Sequence, residues 1–336
     1  MKSIFSKAVI PQKFQKKQLH DLKKYKMLLR NRAEKYAKLS SISVSQCPIC
    51  SSKQFKIFLS VFGSNYYQCT TCTHVFLKKH CDAITLHSFY IESSDYASTY
   101  TDATQLAYRL KHIAEPKVSF VMNYTENKKD QLWLDVGSAI GDTLEAVNRH
   151  KNWLATGLEI SEQSVKIGKK TWNIDLRKQL LADFDRENPK TKFDVISGFG
   201  YFALLEDPLS EMRIAVDKLN PGGLLVLGES NSDSFSTLLQ QSFPELTMRH
   251  LVPPNTLHGF TEESLKVAVK KLGCEPLVIW KFGLDFFELL KYYSLLEVRF
   301  QNSQAFNFLN KFASQFQEVV DHSGKADYMI LIAKKQ

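Results

Sequence analysis

The sequence predicts an α/β fold, built on a doubly wound and mostly parallel sheet that follows a small cysteine-bearing module. From residue 131 onward, short apolar runs typical of strands alternate with single helical stretches, which is the pattern of a parallel sheet. Two Cys-x-x-Cys pairs stand earlier, among short β-like runs. A chain of 336 residues with 44% apolar content is long enough for one large domain and one small appended module.

The net charge of +9 is concentrated at the N-terminus. Residues 1–40 hold twelve Lys or Arg residues and two acids, which leaves 32 basic and 33 acidic residues in the rest of the chain. A basic body would have indicated nucleic acid as a partner, whereas a basic arm indicates only some acidic surface, whether phospholipid, RNA or protein. Nucleic acid is therefore not the expected partner.

The N-terminal arm, residues 1–44, is predicted to carry a basic helix over residues 12–40. Its apolar side chains recur at steps of three and four residues and form one narrow stripe, made by Leu22, Tyr25, Leu29, Ala33 and Tyr36. The stripe could contact a membrane surface or a partner protein, or it could pack along its own protein with the lysines in solvent. The sequence has neither a secretory signal nor a run of about 18 apolar residues. We therefore expect a cytoplasmic protein, at most peripheral to the inner face of the membrane.

Residues 45–82 are predicted to form a metal-stapled ribbon. The pairs Cys47–Cys50 and Cys69–Cys72 are separated by 18 residues, a spacing at which two turns each offer two thiolates to one tetrahedral ion. In a reducing compartment such pairs indicate metal ligands rather than disulfides. Four thiolates leave no vacant position for water, so we expect a structural zinc that folds the module and does no chemistry.

The remaining chain divides into a helical connector, residues 83–130, and the α/β domain, residues 131–336. The connector contains an aromatic cluster at Phe89, Tyr90, Tyr96 and Tyr100. The domain is predicted to be Rossmann-like, with strands near residues 132–136, 155–159, 193–197, 224–228 and 276–280 and an antiparallel terminal strand near 328–333. The stretch from about 284 to 320 is too long for a loop, so we expect a helical insertion of two helices there.

A nucleoside site is predicted at the first strand of this domain. Asp135 ends the strand, and Gly137 and Gly141 follow with Ser138 between them, so the backbone can approach a ligand closely. Glu159 ends the next strand, a position from which a carboxylate binds ribose hydroxyls. An acid before the turn would oppose a pyrophosphate but suits the ammonium and sulfonium of S-adenosylmethionine. That cofactor is therefore predicted.

Two further residues are assigned to the cofactor. Asp183 follows the apolar pair at 180–181 and is predicted to lie at the end of a further strand, the third of the domain, between those near 155–159 and 193–197, where an acid can accept a hydrogen bond from the adenine amino group. Ser197 ends the fourth strand and is predicted to line the same site.

These motifs, together with residues 193–196 and 219–223, resemble class I S-adenosylmethionine-dependent methyltransferases over about residues 131–335. With the ribbon, the aromatic connector and residues 253–261, the chain resembles more narrowly bacterial methyltransferases of polysaccharide, deoxysugar or secondary-metabolite pathways, related to the ubiquinone O-methyltransferase group. The resemblance implies a Rossmann-like fold, S-adenosylmethionine as cofactor and methyl transfer as the activity.

The expected catalytic base is missing from its usual place. Relatives carry a His-x-x-Glu-His stretch after the fourth strand, where this chain has Gly200, Ala203 and Leu204. A hydroxyl or carbon acid must lose a proton during methylation, so another base is required. His258, in the loop after the paired prolines, is the first candidate, with Tyr201 and His250 behind it. Glu229, just past the fifth strand, is placed to bind acceptor hydroxyls.

Three functions are compatible with these features. The first is methylation of a small hydroxylated acceptor, such as a sugar or glycan precursor. The second is an RNA or protein methyltransferase guided by the ribbon and the basic arm, which the ribbon's lack of interleaved cations and stacking aromatics disfavours. The third is a catalytically silent relative that acts as a binding protein.

Overall fold

The computed structural model describes residues 1–5, 22–92, 103–126, 128–247 and 249–336. Part of the predicted arm helix, residues 12–21, and two members of the predicted aromatic cluster, Tyr96 and Tyr100, lie outside these residues. In the described part of the chain, no helix is both long enough and apolar enough to cross a membrane.

Fourteen strands are present in the described residues. They are β1 (Lys2–Phe5), β2 (Ile42–Ser43), β3 (Phe55–Val61), β4 (Ser64–Cys69), β5 (Val75–Leu77), β6 (Lys79–His80), β7 (Gln131–Val136), β8 (Trp153–Glu159), β9 (Asp175–Lys178), β10 (Phe193–Phe199), β11 (Leu219–Ser230), β12 (His258–Gly259), β13 (Cys274–Phe282) and β14 (Tyr328–Lys335).

Thirteen α-helices accompany them in the same residues. They are α1 (Leu22–Leu39), α2 (Ala83–Glu92), α3 (Ala103–Arg109), α4 (Glu115–Met122), α5 (Asp142–Asn148), α6 (Glu162–Thr171), α7 (Leu181–Glu187), α8 (Pro208–Lys218), α9 (Phe235–Ser242), α10 (Glu262–Lys271), α11 (Asp285–Leu296), α12 (Gln304–Lys311) and α13 (Ala313–His322). A π-helical turn, Leu110–Ala114, joins α3 to α4, and 3-10 turns occur at Phe202–Leu204, Pro244–Leu246 and Val298–Asn302.

The central sheet has eight strands in the order β1-β13-β14-β11-β10-β7-β8-β9. Strands β7 to β11 pair in parallel, and β14 is antiparallel to both β11 and β13. This confirms the predicted Rossmann-like mixed sheet with an antiparallel C-terminal strand. The sequence did not indicate the edge strand β1, which pairs in parallel with β13, because four residues are too few to show a period.

Both faces of the central sheet are covered, which explains the continuous apolar runs of its strands. Side chains of β7 alternate between two cores, with Trp133 on one face and Leu134 on the other, and both are fully buried. Because β7, β8, β10 and β11 are parallel, their carboxyl ends meet at one edge of the sheet. Ligands of doubly wound sheets bind at this edge.

The ribbon forms a second sheet with the order β12-β5-β4-β3, and it packs onto one face of the central sheet. Cys47, Cys69 and Cys72 share a core with Phe260 and Leu265 of the α/β domain. A two-stranded sheet of β2 and β6 lies beside it.

Helix α1 packs its apolar stripe against the ribbon. Ala33 and Tyr36 are buried in the core of the ribbon, Leu29 is also buried, and Tyr25 is half exposed. Three of these four side chains are therefore covered by the protein itself, as in the second interpretation of the stripe. A contact of the arm with a membrane surface or a partner stays a prediction.

The C-terminal insertion holds three α-helices, where the sequence indicated two. Ser303 starts a new helix because its side chain accepts a hydrogen bond from the amide of Phe306. A further break at Phe312 separates α12 from α13. These short helices pack on α11 through aromatic contacts such as Phe286 with Phe316, whose ring centroids are 4.6 Å apart.

Candidate active site and metal centre

The turn after β7 adopts the backbone that its glycines were predicted to allow. Gly137 and Gly141 have φ of +68° and +81°, in the left-handed region that favours glycine. A Cβ atom on Gly141 would also collide with Ile174 Cδ1, so a side chain there would displace Ile174. Ser138 braces the turn, since its hydroxyl donates to the carbonyl oxygen of Asp135 at 2.6 Å. The turn leads directly into α5.

Asp135 is a buried carboxyl group held by a directed chain of hydrogen bonds. The indole of Trp133 can only donate, and it donates to Ser197 Oγ at 2.8 Å. The Ser197 hydroxyl must then donate to Asp135 Oδ1. Burial raises the pKa of Asp135 to about 7, against the lowering effect of the Ser197 hydroxyl. The two predicted cofactor residues therefore contact each other, and Trp133 supports both.

Lys117 on α4 is a neighbour of Asp135 that the sequence analysis missed. Its Nζ lies 4.7 Å from the ring centroid of Phe199 and 4.9 Å from that of Tyr328, at the carboxyl ends of the central strands. Burial lowers the pKa of Lys117 to about 8, and the carboxyl group of Asp142 partly opposes this. In the sequence, Lys117 is a single lysine in a mostly apolar helix, and this was the only sign that it belongs to the site.

Glu159 ties the end of β8 to the glycine turn. Its Oε2 accepts from the amide of Ala139 at 2.9 Å, and its Oε1 accepts from the amide of Ser161 at 2.7 Å. The hydroxyl of Tyr90, on α2, lies 3.4 Å from Oε2. Burial raises the pKa of Glu159 above its usual value, against the lowering effect of these amides. The long contact with Tyr90 is the one that a ribose hydroxyl could replace, because the amides are fixed in the backbone.

Tyr201 lies directly over the glycine turn. A Cβ atom on Gly137 would be 2.6 Å from Tyr201 Cδ2, so the ring packs against that glycine. The Tyr201 hydroxyl donates to Glu211 Oε1 at 2.8 Å. Burial, together with the Glu211 carboxylate, raises the pKa of Tyr201 well above its usual value. The hydroxyl therefore stays protonated at neutral pH and cannot serve as a base there.

His258 is buried between the ribbon and the α/β domain rather than open to the cofactor turn. Its Nε2 lies 2.9 Å from the carbonyl oxygen of Leu205, and its Nδ1 lies 3.1 Å from Nε2 of His74. Burial lowers the pKa of His258 to about 4. Since both ring nitrogens are engaged and the group is a very weak base, this geometry corrects the prediction of His258 as the catalytic base.

Two other predicted residues lie in different surroundings. His250, the reserve candidate, has Nε2 3.5 Å from Asp327 Oδ2, in a buried ionic cluster that also contains Arg249. Asp183 lies in the first turn of α7, just after the third strand, and is ion-paired with Arg186. Its contact with adenine stays a prediction.

Glu229 lies at the carboxyl end of β11 and is fully buried. Its Oε1 accepts from the amide of Phe202 at 2.9 Å, which caps the 3-10 turn that follows Tyr201. Its Oε2 has no hydrogen-bond partner within the described ranges. Burial raises the pKa of Glu229 to about 8, so the carboxyl group is mostly protonated at neutral pH. An unpaired buried oxygen at this edge of the sheet calls for a ligand or water.

The four cysteines of the ribbon are arranged as one ligand set. The sulfur atoms of Cys47, Cys50, Cys69 and Cys72 all lie within 4.8 Å of one another. The Cys47–Cys72 and Cys50–Cys69 Sγ distances are 3.6 and 3.5 Å. A tetrahedral ion with Zn–S bonds of about 2.3 Å separates its sulfurs by about 3.8 Å, so the set fits zinc closely. These four cysteines, all predicted as ligands, could bind zinc.

The chemistry of the site at the sheet edge fits S-adenosylmethionine. Asp135 offers a buried carboxylate to a cation, and Lys117 offers an ammonium to an anion, which together suit the zwitterionic amino-acid end. Glu159 offers carboxylate oxygens to the ribose. The fold and this site define an α/β protein that binds a cationic nucleoside.

Comparison with known proteins gives the family. The sequence model of a family described as a methyltransferase domain matches residues 106–278, which is more than half of the chain. The chain belongs to this family, and it is an S-adenosylmethionine-dependent methyltransferase. No curated protein sequence matches the chain.

Solved structures of methyltransferases and related enzymes are similar to this chain at low identity. An S-adenosylmethionine-dependent methyltransferase from Archaeoglobus fulgidus is 15% identical, with 70% of this chain and 100% of that chain covered and a TM-score of 0.45. Phosphoethanolamine N-methyltransferase 2 from Haemonchus contortus is 13% identical, with 78% and 62% covered and a TM-score of 0.48. A cyclopropane synthase from Mycobacterium tuberculosis is 14% identical, with 67% and 85% covered and a TM-score of 0.47.

Proposed function

We propose that this methyltransferase acts on a small hydroxylated acceptor, of the class of sugars and glycan precursors, at the carboxyl edge of the central sheet. The observation that carries the proposal is Glu229, a buried carboxyl group whose Oε2 has no hydrogen-bond partner in the described part of the chain. A hydroxyl group is the natural complement, because it donates to a carboxylate and can give up its proton to it.

The residues at the glycine turn would hold the cofactor. Asp135 would pair with the α-ammonium group and Lys117 with the carboxylate, while Glu159 would accept hydrogen bonds from the ribose hydroxyls. S-adenosylmethionine supplies a methyl group on a sulfonium, which is already activated for transfer. The chain itself must then orient the acceptor and remove its proton.

Glu229 is proposed to remove the proton from the acceptor. With a pKa of about 8, it is a carboxylate in a growing fraction of molecules as the pH rises toward 8. In this form, it would take the proton from the acceptor hydroxyl as the oxygen–methyl bond forms and the sulfur–methyl bond breaks. Its Oε1 would keep the turn after Tyr201 capped throughout.

The test is transfer of a radiolabelled methyl group from S-adenosylmethionine to defined acceptors. Nucleotide-linked sugars, total RNA and a protein extract are compared with the full chain as the enzyme. We expect label in the nucleotide-linked sugars, because a small polyhydroxylated acceptor suits a buried carboxyl group. Label found only in RNA or protein would contradict the proposed acceptor class.

The variant Glu229→Gln separates the proton transfer from folding. Glutamine keeps an oxygen for the amide of Phe202 but cannot accept a proton. We expect transfer to fall by about 100-fold or more, which is the usual contribution of a general base, with cofactor affinity within about twofold of wild type. Unchanged transfer would remove Glu229 from the proposal.

A further inference from the structure

The ribbon and the loop before α10 form one hydrogen-bonded unit, although they are far apart in sequence. Strand β12 of the α/β domain pairs with β5 of the ribbon, with His258 opposite Phe76. The amide of Leu77 donates to the carbonyl oxygen of Leu257 at 2.8 Å. The hydroxyls of Thr73 and Thr261 lie 2.6 Å apart. The cysteine-bearing module therefore continues directly into the large domain.

Within this unit, two buried histidines form a directed contact. The rings of His74 and His258 stack with their centroids 5.3 Å apart. The Leu205 carbonyl oxygen can only accept, so His258 Nε2 carries the proton, and Nδ1 of the neutral ring must accept from Nε2 of His74. His74 stands two residues after Cys72, in the second cysteine turn. A chain of hydrogen bonds thus runs from that turn to Leu205.

Leu205, where these hydrogen bonds end, belongs to a segment that lies over the glycine turn. The amide of Leu257 donates to the carbonyl oxygen of Ala203 at 2.8 Å, next to the contact made by His258. On the other side, Tyr201 packs against Gly137. Residues 201–205 are therefore held between the ribbon and the glycine turn.

We infer that His258, braced by His74, is a positioning residue that fixes residues 201–205 over the glycine turn, so that the metal-stapled ribbon sets the affinity for the cofactor. The inference rests on the proposed cofactor site at Asp135 and Glu159. In this inference, His258 positions residues 201–205 and does not act as a base. A loosened segment would have to be ordered again on binding, which weakens binding.

The test is calorimetric titration of S-adenosylmethionine into the zinc-loaded full chain. His258→Leu removes both hydrogen bonds, and we expect the dissociation constant to rise about 10- to 100-fold. His258→Gln can supply one donor and one acceptor, and it is expected to recover most of the lost affinity. His322→Gln is the control, since that exposed histidine lies at the end of α13, outside the ribbon, with its Nδ1 near the carbonyl oxygen of Glu318. It should bind like wild type.

A second experiment removes the metal. If the ribbon acts through His258, chelation weakens cofactor binding by wild type but adds little to the defect of His258→Leu, because the two changes break the same path. Amide hydrogen exchange is measured on the wild-type protein, so the inference is tested even if a variant does not fold. Exchange at the amides of residues 201–205 should become at least about tenfold faster on chelation.

Three outcomes would overturn the inference: binding by His258→Leu within twofold of wild type, additive effects of chelation and substitution, and exchange at residues 201–205 that does not change when the metal is removed. Each of these results leaves the proposed cofactor site intact. Absence of binding by wild type itself overturns the cofactor site, and the inference with it.

Discussion

Burial sets the protonation of the acids at the carboxyl edge of the sheet. Asp135 has a pKa of about 7 and Glu229 has a pKa of about 8, because both are removed from water. Without a ligand, Asp135 is therefore largely neutral at mildly acidic pH. A cation placed beside it favours the ionised form and lowers its pKa.

Cofactor binding is therefore expected to release a proton from Asp135. Below pH 7, free Asp135 is protonated and ligand-bound Asp135 is ionised, so affinity should rise by about tenfold per pH unit up to about pH 7. Calorimetry at pH 6 in two buffers of different ionisation enthalpy measures the released proton. Asp233→Asn, at an exposed acid, is the control and should release the same proton. An affinity independent of pH between 5.5 and 7 would contradict the assignment.

The residues of the site differ in how far sequence could predict them. Asp135, Gly137, Ser138 and Gly141 belong to one turn, so their spacing alone brings them together. The electrostatic interaction of Asp135 with Lys117, and the contact of Glu159 with Tyr90, join elements that are distant along the chain. No local pattern reports such contacts, because they depend on how helices dock on the sheet.

Strand β11 shows how elements at the site constrain one another. At Gly228, a Cβ atom would be 2.7 Å from Tyr328 Oη and would also collide with Phe199 of the neighbouring strand. The missing side chain therefore leaves room for both rings at the carboxyl edge, where each lies within 5 Å of Lys117 Nζ. Long strands such as β11 were predictable from apolar runs, whereas β1 and β12 were too short to show any pattern.

Gly228→Ala is expected to lower the free energy of unfolding by about 1–3 kcal/mol, because the added methyl group overpacks this contact. Urea denaturation measures the change. Phe199→Leu combined with Gly228→Ala should cost less than the sum of the two single changes, since leucine makes room for the methyl group. Additive effects would show that the rings do not crowd Gly228.

At the scale of the whole molecule, the ribbon and the α/β domain share one core. Cys47 and Cys72 pack with Phe260 of the large domain, and β12 completes the ribbon sheet. The cysteine spacing predicted the metal site, since four ligands in two turns are a local signal. The docking of the two parts could not be predicted, because which surfaces meet is a property of the assembled fold.

The central claim is that the turn after β7 and the acid at the end of β8 together bind S-adenosylmethionine. Calorimetric titration of the folded, zinc-loaded chain tests it most directly. We predict one site per chain, with the dissociation constant raised about 100-fold by Asp135→Asn and about tenfold or more by Glu159→Gln, as expected for lost charge-assisted hydrogen bonds. A folded wild-type protein that gives no binding heat, and no thermal stabilisation by the cofactor, would contradict the claim.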